Sequence, residues 1–306
     1  MNAIRRPLPA LIGVGLMLAM VISWSSGFIG YRHVADQGSV YLATLWRFAL
    51  AAILLLPFAW RTLGRLHRRD VLHQALLGLF AIGGYITPIA ASIQLGVTPG
   101  TASLIANLLP LSIVVFAATV PGQRTRGRQW LGLLVCLGGM LLASGASVEW
   151  TNARLWVFSL PVLAVLSLAA ATLYEKARPG APVTALAALF IQVCAVIPVF
   201  ALCVALEGNW RPVASPGFAG GVVWLAVLST LGGYGFYWLC LQRFSVQAIS
   251  GALFLAPPVT MIWAWLQFDD PLSLEATAGV AMTLLGLPLL MRAGARAGVV
   301  KEPAAA

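Results

Sequence analysis

Runs of about 20 apolar residues, separated by short polar turns, recur along the whole of this 306-residue chain. A helix of that length crosses about 30 Å of hydrocarbon, and inside lipid only helices and closed barrels satisfy their own backbone groups. Composition agrees. Sixty per cent of the residues are hydrophobic and 9% are charged, with a mean hydropathy of +0.90, whereas a soluble domain carries roughly a quarter charged residues. The pattern predicts an all-α polytopic membrane protein with ten transmembrane helices at 9–31, 40–60, 71–93, 100–120, 128–147, 154–174, 183–205, 217–240, 246–267 and 272–291. The first run follows Arg5 and Arg6 as a signal peptide would. It is too long for a signal core and shows no small-x-small cleavage site, so it is expected to stay as the first helix. Cys136, Cys194, Cys203 and Cys240 all fall inside spans without the spacing of a metal knuckle or a redox pair. They read as small packing residues, and neither metal nor cofactor is expected.

The net charge of +10 would suit a nucleic-acid partner if it were clustered, but it is sorted by side. With the N-terminus on one side, that side collects Arg5, Arg6, four arginines at 61–69, three at 124–128, Lys176, Arg178, Arg243, Arg292, Arg296 and Lys301. These make 15, against Arg32, Arg154 and Arg211 on the other side, with Arg47 inside a span. Such an imbalance places both termini in the cytoplasm. The charge is a topology signal, the partner it implies is the lipid bilayer, and no nucleic acid is expected.

The chain also contains a loose copy of itself. Pro110 and Pro257, Gln123 and Asp270, Gly132 and Gly279, and Gly139 and Gly286 each stand 147 residues apart. "GGY" at 83–85 returns at 232–234, two residues out of that register. Five spans per half is an odd number, so the second half must enter the membrane upside down. Residues 1–147 (spans 1–5) and 148–306 (spans 6–10) are expected to form two inverted-topology repeats, the arrangement in which secondary transporters place a solute site near the midplane.

"LPLSIVVFAATVPGQRTRGRQWLG" and "APPVTMIWAWLQFDDPLSLEATAG" resemble the two repeats of the EamA family in the drug/metabolite transporter superfamily. Each has a proline mid-helix, a short turn and a glycine opening the next helix, and "LWRFALAAILLLP" fits the same family. The turns depart from the family pattern at Gln123 and at Asp269-Asp270. The resemblance implies a ten-helix basket in the cell (inner) membrane, with its cavity formed mainly by helices 1, 3, 4, 6, 8 and 9. It also implies export of amino acids or related metabolites, and within the family the chain is similar to an aromatic amino-acid exporter. A monomer is expected.

Candidate substrate-binding residues follow. Ser103, Asn107 and Pro110 fall on one face of the fourth span, and a shift of 147 takes them to Ser250, Phe254 and Pro257. Asn107 and Phe254 are thus expected to face each other, an amide opposite a ring, with Phe254 shaping substrate preference. Interhelical hydrogen bonding is the alternative for Asn107. Pro88, Pro110 and Pro257 are expected to kink their helices. Trp24, Tyr85 and Tyr234 lie deep in their spans, away from the interfaces where Trp and Tyr usually gather, and Tyr237 and Trp238 follow Tyr234 on the eighth span. An aromatic lining of that kind suits an apolar or aromatic metabolite. Arg47 is the one charge well inside a span. It could hold a substrate carboxylate, but the resemblance puts it on a non-lining helix, which favours a structural role.

A membrane enzyme would need a nucleophile, base or metal set. His33, His67 and His73 are scattered near loops, and neither HExxH nor GxSxG occurs. A channel would need a charge ring or carbonyl filter. A transporter remains, with a broad-specificity drug or toxic-compound efflux carrier as the alternative and an integral-membrane enzyme behind it. No acidic residue or histidine falls mid-span, so a uniporter or exchanger is expected rather than a proton-coupled carrier.

Overall fold

The computed structural model describes residues 10–35, 37–95, 127–144, 154–178, 183–211, 213–269 and 274–295, with single or few residues at 97, 102, 105–109, 111–112, 116 and 180. All regular structure among them is helical. The helices are α1 (Ala10–Ala35), α2 (Val40–Leu63), α3 (Arg68–Gln94), α4 (Gly127–Ser144), α5 (Leu155–Ala177), α6 (Ala185–Glu207), α7 (Pro216–Arg243), α8 (Val246–Leu253), α9 (Ala256–Phe268) and α10 (Leu274–Ala295). Seven helical stretches among the described residues are long and apolar enough to cross a membrane, α8 and α9 together making one of them. Shorter apolar stretches at Trp130–Gly139 and Thr277–Gly286 lie on α4 and α10. More than half of the span expected at 100–120 falls outside the described residues.

Local chemistry sets the ends. Ser39, Thr184, Ser215 and Ser245 each accept from backbone N–H groups of the first turn of α2, α6, α7 and α8, filling donors that a helix start leaves open. Gly208 (φ 72°) and Asp269 (φ 54°) end α6 and α9 in the left-handed region. Pro257 does not kink a continuous helix. It stands with Pro258 in the first turn of α9, after a break at Phe254 and Leu255. Two prolines supply no N–H to the preceding turn, and Ser25 of α1 donates to the Ala256 carbonyl there at 3.0 Å. Pro88 lies inside α3.

Both helices that carry "GGY" contain a π-helical stretch beside it, Leu79–Gly83 in α3 and Leu225–Tyr234 in α7. An extra residue in a turn widens the helix there, and such turns gather at functional sites.

Packing contacts come in pairs. α1 packs against α7, and α5 packs against α3. Ser23 of α1 meets Gly232 of α7, and Ser167 of α5 meets Gly84 of α3. α2 packs against α7, and α6 against α3. Exchanging the first five spans for the last five converts each contact into its mate. The α4–α10 contact is its own mate. A Cβ on Gly139 would sit 2.6 Å from the Gly279 carbonyl oxygen, and one on Gly286 would sit 2.9 Å from the Cys136 nitrogen and 3.0 Å from the Gly132 carbonyl oxygen. Cys136 donates to the Thr283 carbonyl at 3.5 Å, 147 residues away. Contacts of 132 and 136 with 286, and of 139 with 279 and 283, require the two helices to run antiparallel.

Gly139→Ala and Gly286→Ala are each expected to force α4 and α10 apart, at a cost of about 1–3 kcal/mol. Gly15→Ala, where nothing lies within 4 Å, should leave stability unchanged. Thermal unfolding of the purified protein in one detergent checks the difference.

Candidate substrate cavity

Helices that touch closely at one level leave a gap at another. A cavity of about 580 Å³ opens between α1, α2, α3, α7 and α9, within the ~300–1,000 Å³ range of small-molecule sites. Its wall is Trp24, Phe28 and Tyr31 from α1, Val40 and Arg47 from α2, Tyr85, Ile86 and Ile89 from α3, Ser229 and Tyr234 from α7, and Thr260, Met261 and Ala264 from α9, with Ala102 of the fourth span. On α1, α3 and α9 these residues occupy the stretch from mid-helix towards Ala35, Gln94 and Phe268. The cavity therefore belongs to one half of the bundle, the half where α2 begins. Arg32 stands exposed at its rim with its guanidinium 4.1 Å from the Phe268 ring centre.

The floor is aromatic. Trp24 has ring centroids 6.0 Å from Tyr85, 5.4 Å from Tyr234 and 5.3 Å from Tyr237. Tyr237 is buried below, sharing a 2.5 Å hydrogen bond with Thr172 of α5 and lying 5.4 Å from Trp238. Farther towards the Arg243 end, the Lys176 ammonium of α5 donates to the Leu241 and Phe244 carbonyls at 2.7 and 2.9 Å. Those carbonyls end α7, where the helix dipole favours a cation. At the same end His73 of α3 meets Glu175 of α5 at 2.7 Å.

Arg47 reaches the cavity from α2. Its Nε donates to Thr230 at 2.6 Å, Nη1 to Tyr31 at 3.2 Å and Nη2 to Ser229 at 2.9 Å. Gly27 of α1 makes room for Ser229, since a Cβ there would lie 2.8 Å from its hydroxyl. The two acceptors on α7 sit in its π-helical stretch, and Thr230 passes its own proton to the Leu225 carbonyl at 3.1 Å.

Of the residues singled out from sequence, Trp24, Tyr85, Tyr234 and Arg47 line one cavity. Tyr237 and Trp238 form a layer beneath it. Phe254 lies elsewhere, buried with Leu133 and Cys136 against α4, so it does not stand at this cavity. Asn107 is half-buried and is not among the lining residues. Ser103 and Pro110 lie outside the described residues. Arg47 comes from a helix that the resemblance places outside the lining set. Its length carries the guanidinium past the helix's own face, which span-level reasoning does not capture. Phe28, four residues after Trp24 on the same helix face, also lines the cavity, whereas no sequence pattern pointed to Thr260 or Met261.

Phe254→Ala is expected to lower thermal stability by about 3–5 kcal/mol without changing the order in which solutes are preferred. Tyr85→Ala should weaken aromatic solutes most. Competition assays on both variants, beside their melting curves, test the assignment.

Residues 11–145 match the EamA-like transporter family. The chain is 26% identical over 283 residues to a probable terminal-alkyne amino-acid exporter of Streptantibioticus cattleyicolor, covering 91% of this chain and 93% of that protein. It is 23% identical over 281 residues to a probable amino-acid metabolite efflux pump of Escherichia coli (strain K12), covering 89% and 92%. An uncharacterized transporter of Archaeoglobus fulgidus is 23% identical, with 90% and 98% covered. One solved crystal structure superposes with a TM-score of 0.77 over 94% of this chain and 99% of its own, at 18% identity, which shows a shared fold.

Proposed function

We propose that this multi-pass membrane transporter, whose residues 11–145 match the EamA-like transporter family, exports amino acids, aromatic or otherwise apolar, or closely related metabolites. The observation that carries this is the cavity itself. It is solute-sized, lies between helices of both sequence halves and is aromatic at its floor, with its described lining on α1, α3 and α9 set towards one end of the bundle. The names of the relatives from Streptantibioticus cattleyicolor and Escherichia coli point to amino-acid efflux. On α7 the lining residues Ser229 and Tyr234 lie within the π-helical stretch, and on α3 Tyr85 follows the π-helical stretch by two residues.

The mechanism proposed is alternating access by two inverted repeats, residues 1–147 and 148–306, in a ten-helix bundle of the inner membrane. The exchange-related contacts and the antiparallel α4–α10 pair support that relation, since an isologous interface joins residue i to j and j to i. With both termini in the cytoplasm, as the arginine distribution argues, the cavity opens outwards. Lys176 and the His73–Glu175 pair then close the cytoplasmic end. Export requires these contacts to part while the rim closes over the solute. With no acidic or histidine side chain among the cavity's described lining, the cycle runs as uniport or exchange.

Proteoliposomes loaded with unlabelled phenylalanine should take up labelled phenylalanine by counterflow with no ion gradient. An imposed pH gradient should leave the final level unchanged. Accumulation that follows the proton gradient and collapses with an uncoupler would overturn the uniport-or-exchange mechanism.

A further inference from the structure

We infer that Arg47 is the anchor for a carboxylate on the transported solute, so that the carrier selects small carboxylates bearing an apolar or aromatic body; this rests on the transport reading above. Arg47 is 2% exposed, and burying a guanidinium costs several kcal/mol unless an anion compensates it. Its three hydrogen-bond partners are neutral hydroxyls, and two of them, Tyr31 and Thr230, send their own protons elsewhere. Thr44 donates to the Val40 carbonyl at 2.7 Å, which leaves the Tyr31 hydroxyl to donate to Thr44 at 2.9 Å while it accepts from Arg47. Thr230 donates to the Leu225 carbonyl. This network aims the guanidinium and does not neutralise it. The rings of Tyr31 and Phe48, 5.7 and 5.1 Å from the guanidinium carbon, add only weak attraction.

No Asp or Glu stands among the described residues lining the cavity, which instead holds Arg32 at its rim and Arg47 in its depth. A guanidinium has five N–H donors, and three are used. One N–H on each terminal nitrogen is left, the pair that a carboxylate takes in a bidentate fork. Two further polar groups of the wall are also unused. Among the described residues the hydroxyls of Tyr234, a residue 3% exposed, and of Thr260 are buried without a hydrogen-bond partner. Both belong to this cavity. A buried cation with no counter-charge among the described residues, two hydroxyls unpaired among them and an aromatic floor together describe the complement of an anionic headgroup on an apolar body.

The test compares acids with their amides, which keep the body and remove the charge. L-phenylalanine and L-leucine are set against L-phenylalaninamide and L-leucinamide, as competitors of labelled phenylalanine counterflow and as ligands of the purified protein by calorimetry. Each acid should outcompete its amide at least tenfold in the wild type. In Arg47→Gln that advantage should shrink to within about twofold, Arg47→Lys should keep part of it, and Tyr234→Phe should weaken the acids several-fold while sparing the amides. The wild-type comparison needs no variant to fold, and melting curves accompany the others. Acid and amide competing equally, with counterflow intact, would overturn the carboxylate assignment and leave the transport reading standing. Absence of counterflow and binding for all four would overturn both.

Discussion

Helices in lipid gain little from the hydrophobic effect when they meet, because the tails around them are as apolar as their own side chains. Close backbone approach has to hold them, and in this protein it depends on positions where even a methyl group would not fit. Gly139 and Gly286 let α4 and α10 touch, and Gly232 and Gly84 admit serines of α1 and α5. Gly78 brings α3 against the backbone of Gln192 in α6, where a Cβ would fall 2.5 Å from its Cα. Where such residues stop, the helices diverge, and the cavity is the space that results. Gly27 marks the transition, since it packs against Ser229 and lines the cavity as well.

The second constraint is the backbone itself. Proline pairs and π turns free carbonyls that lipid cannot solvate. In this bundle side chains answer those of the π turns: Ser167 at Phe80 and Thr230 at Leu225. The last of these also receives Arg47. One irregular turn of α7 therefore supplies both the local repair and the hydroxyls that position the buried cation. A change of register in that turn would move the guanidinium, which ties helix geometry to what the cavity can bind.

Much of this was legible in the sequence. The fixed interval of 147 residues picked out Gly132, Gly139, Gly279 and Gly286 before any contact was known, and those are the residues that meet. Periodicity and depth brought Trp24, Tyr85 and Tyr234 to one place. Two features were not legible. Arg47 bonds to residues 182 and 183 positions away, and no spacing rule reveals how far a long side chain will reach. Phe254 was assigned by symmetry from Asn107, and the same turn does occur at 107–108 and at 254–255, yet the Phe254 ring packs with Leu133 and Cys136 of α4. Symmetry fixes backbones more firmly than side-chain directions, and the Pro257-Pro258 pair has no match beside Pro110, which is followed by Leu111.

The account's central claim is that solute exchanges which end of the bundle is closed. The most direct measurement is the distance between spin labels on Arg178 and Arg243, both exposed at the ends of α5 and α7 beside the Lys176 contacts. The protein would carry no other cysteine, and pulsed electron resonance would be recorded in lipid with and without phenylalanine. The account predicts one short distance that is joined, on adding solute, by a longer population as the Lys176 contacts part. A single distance, unchanged by solute at concentrations that support counterflow, would contradict it.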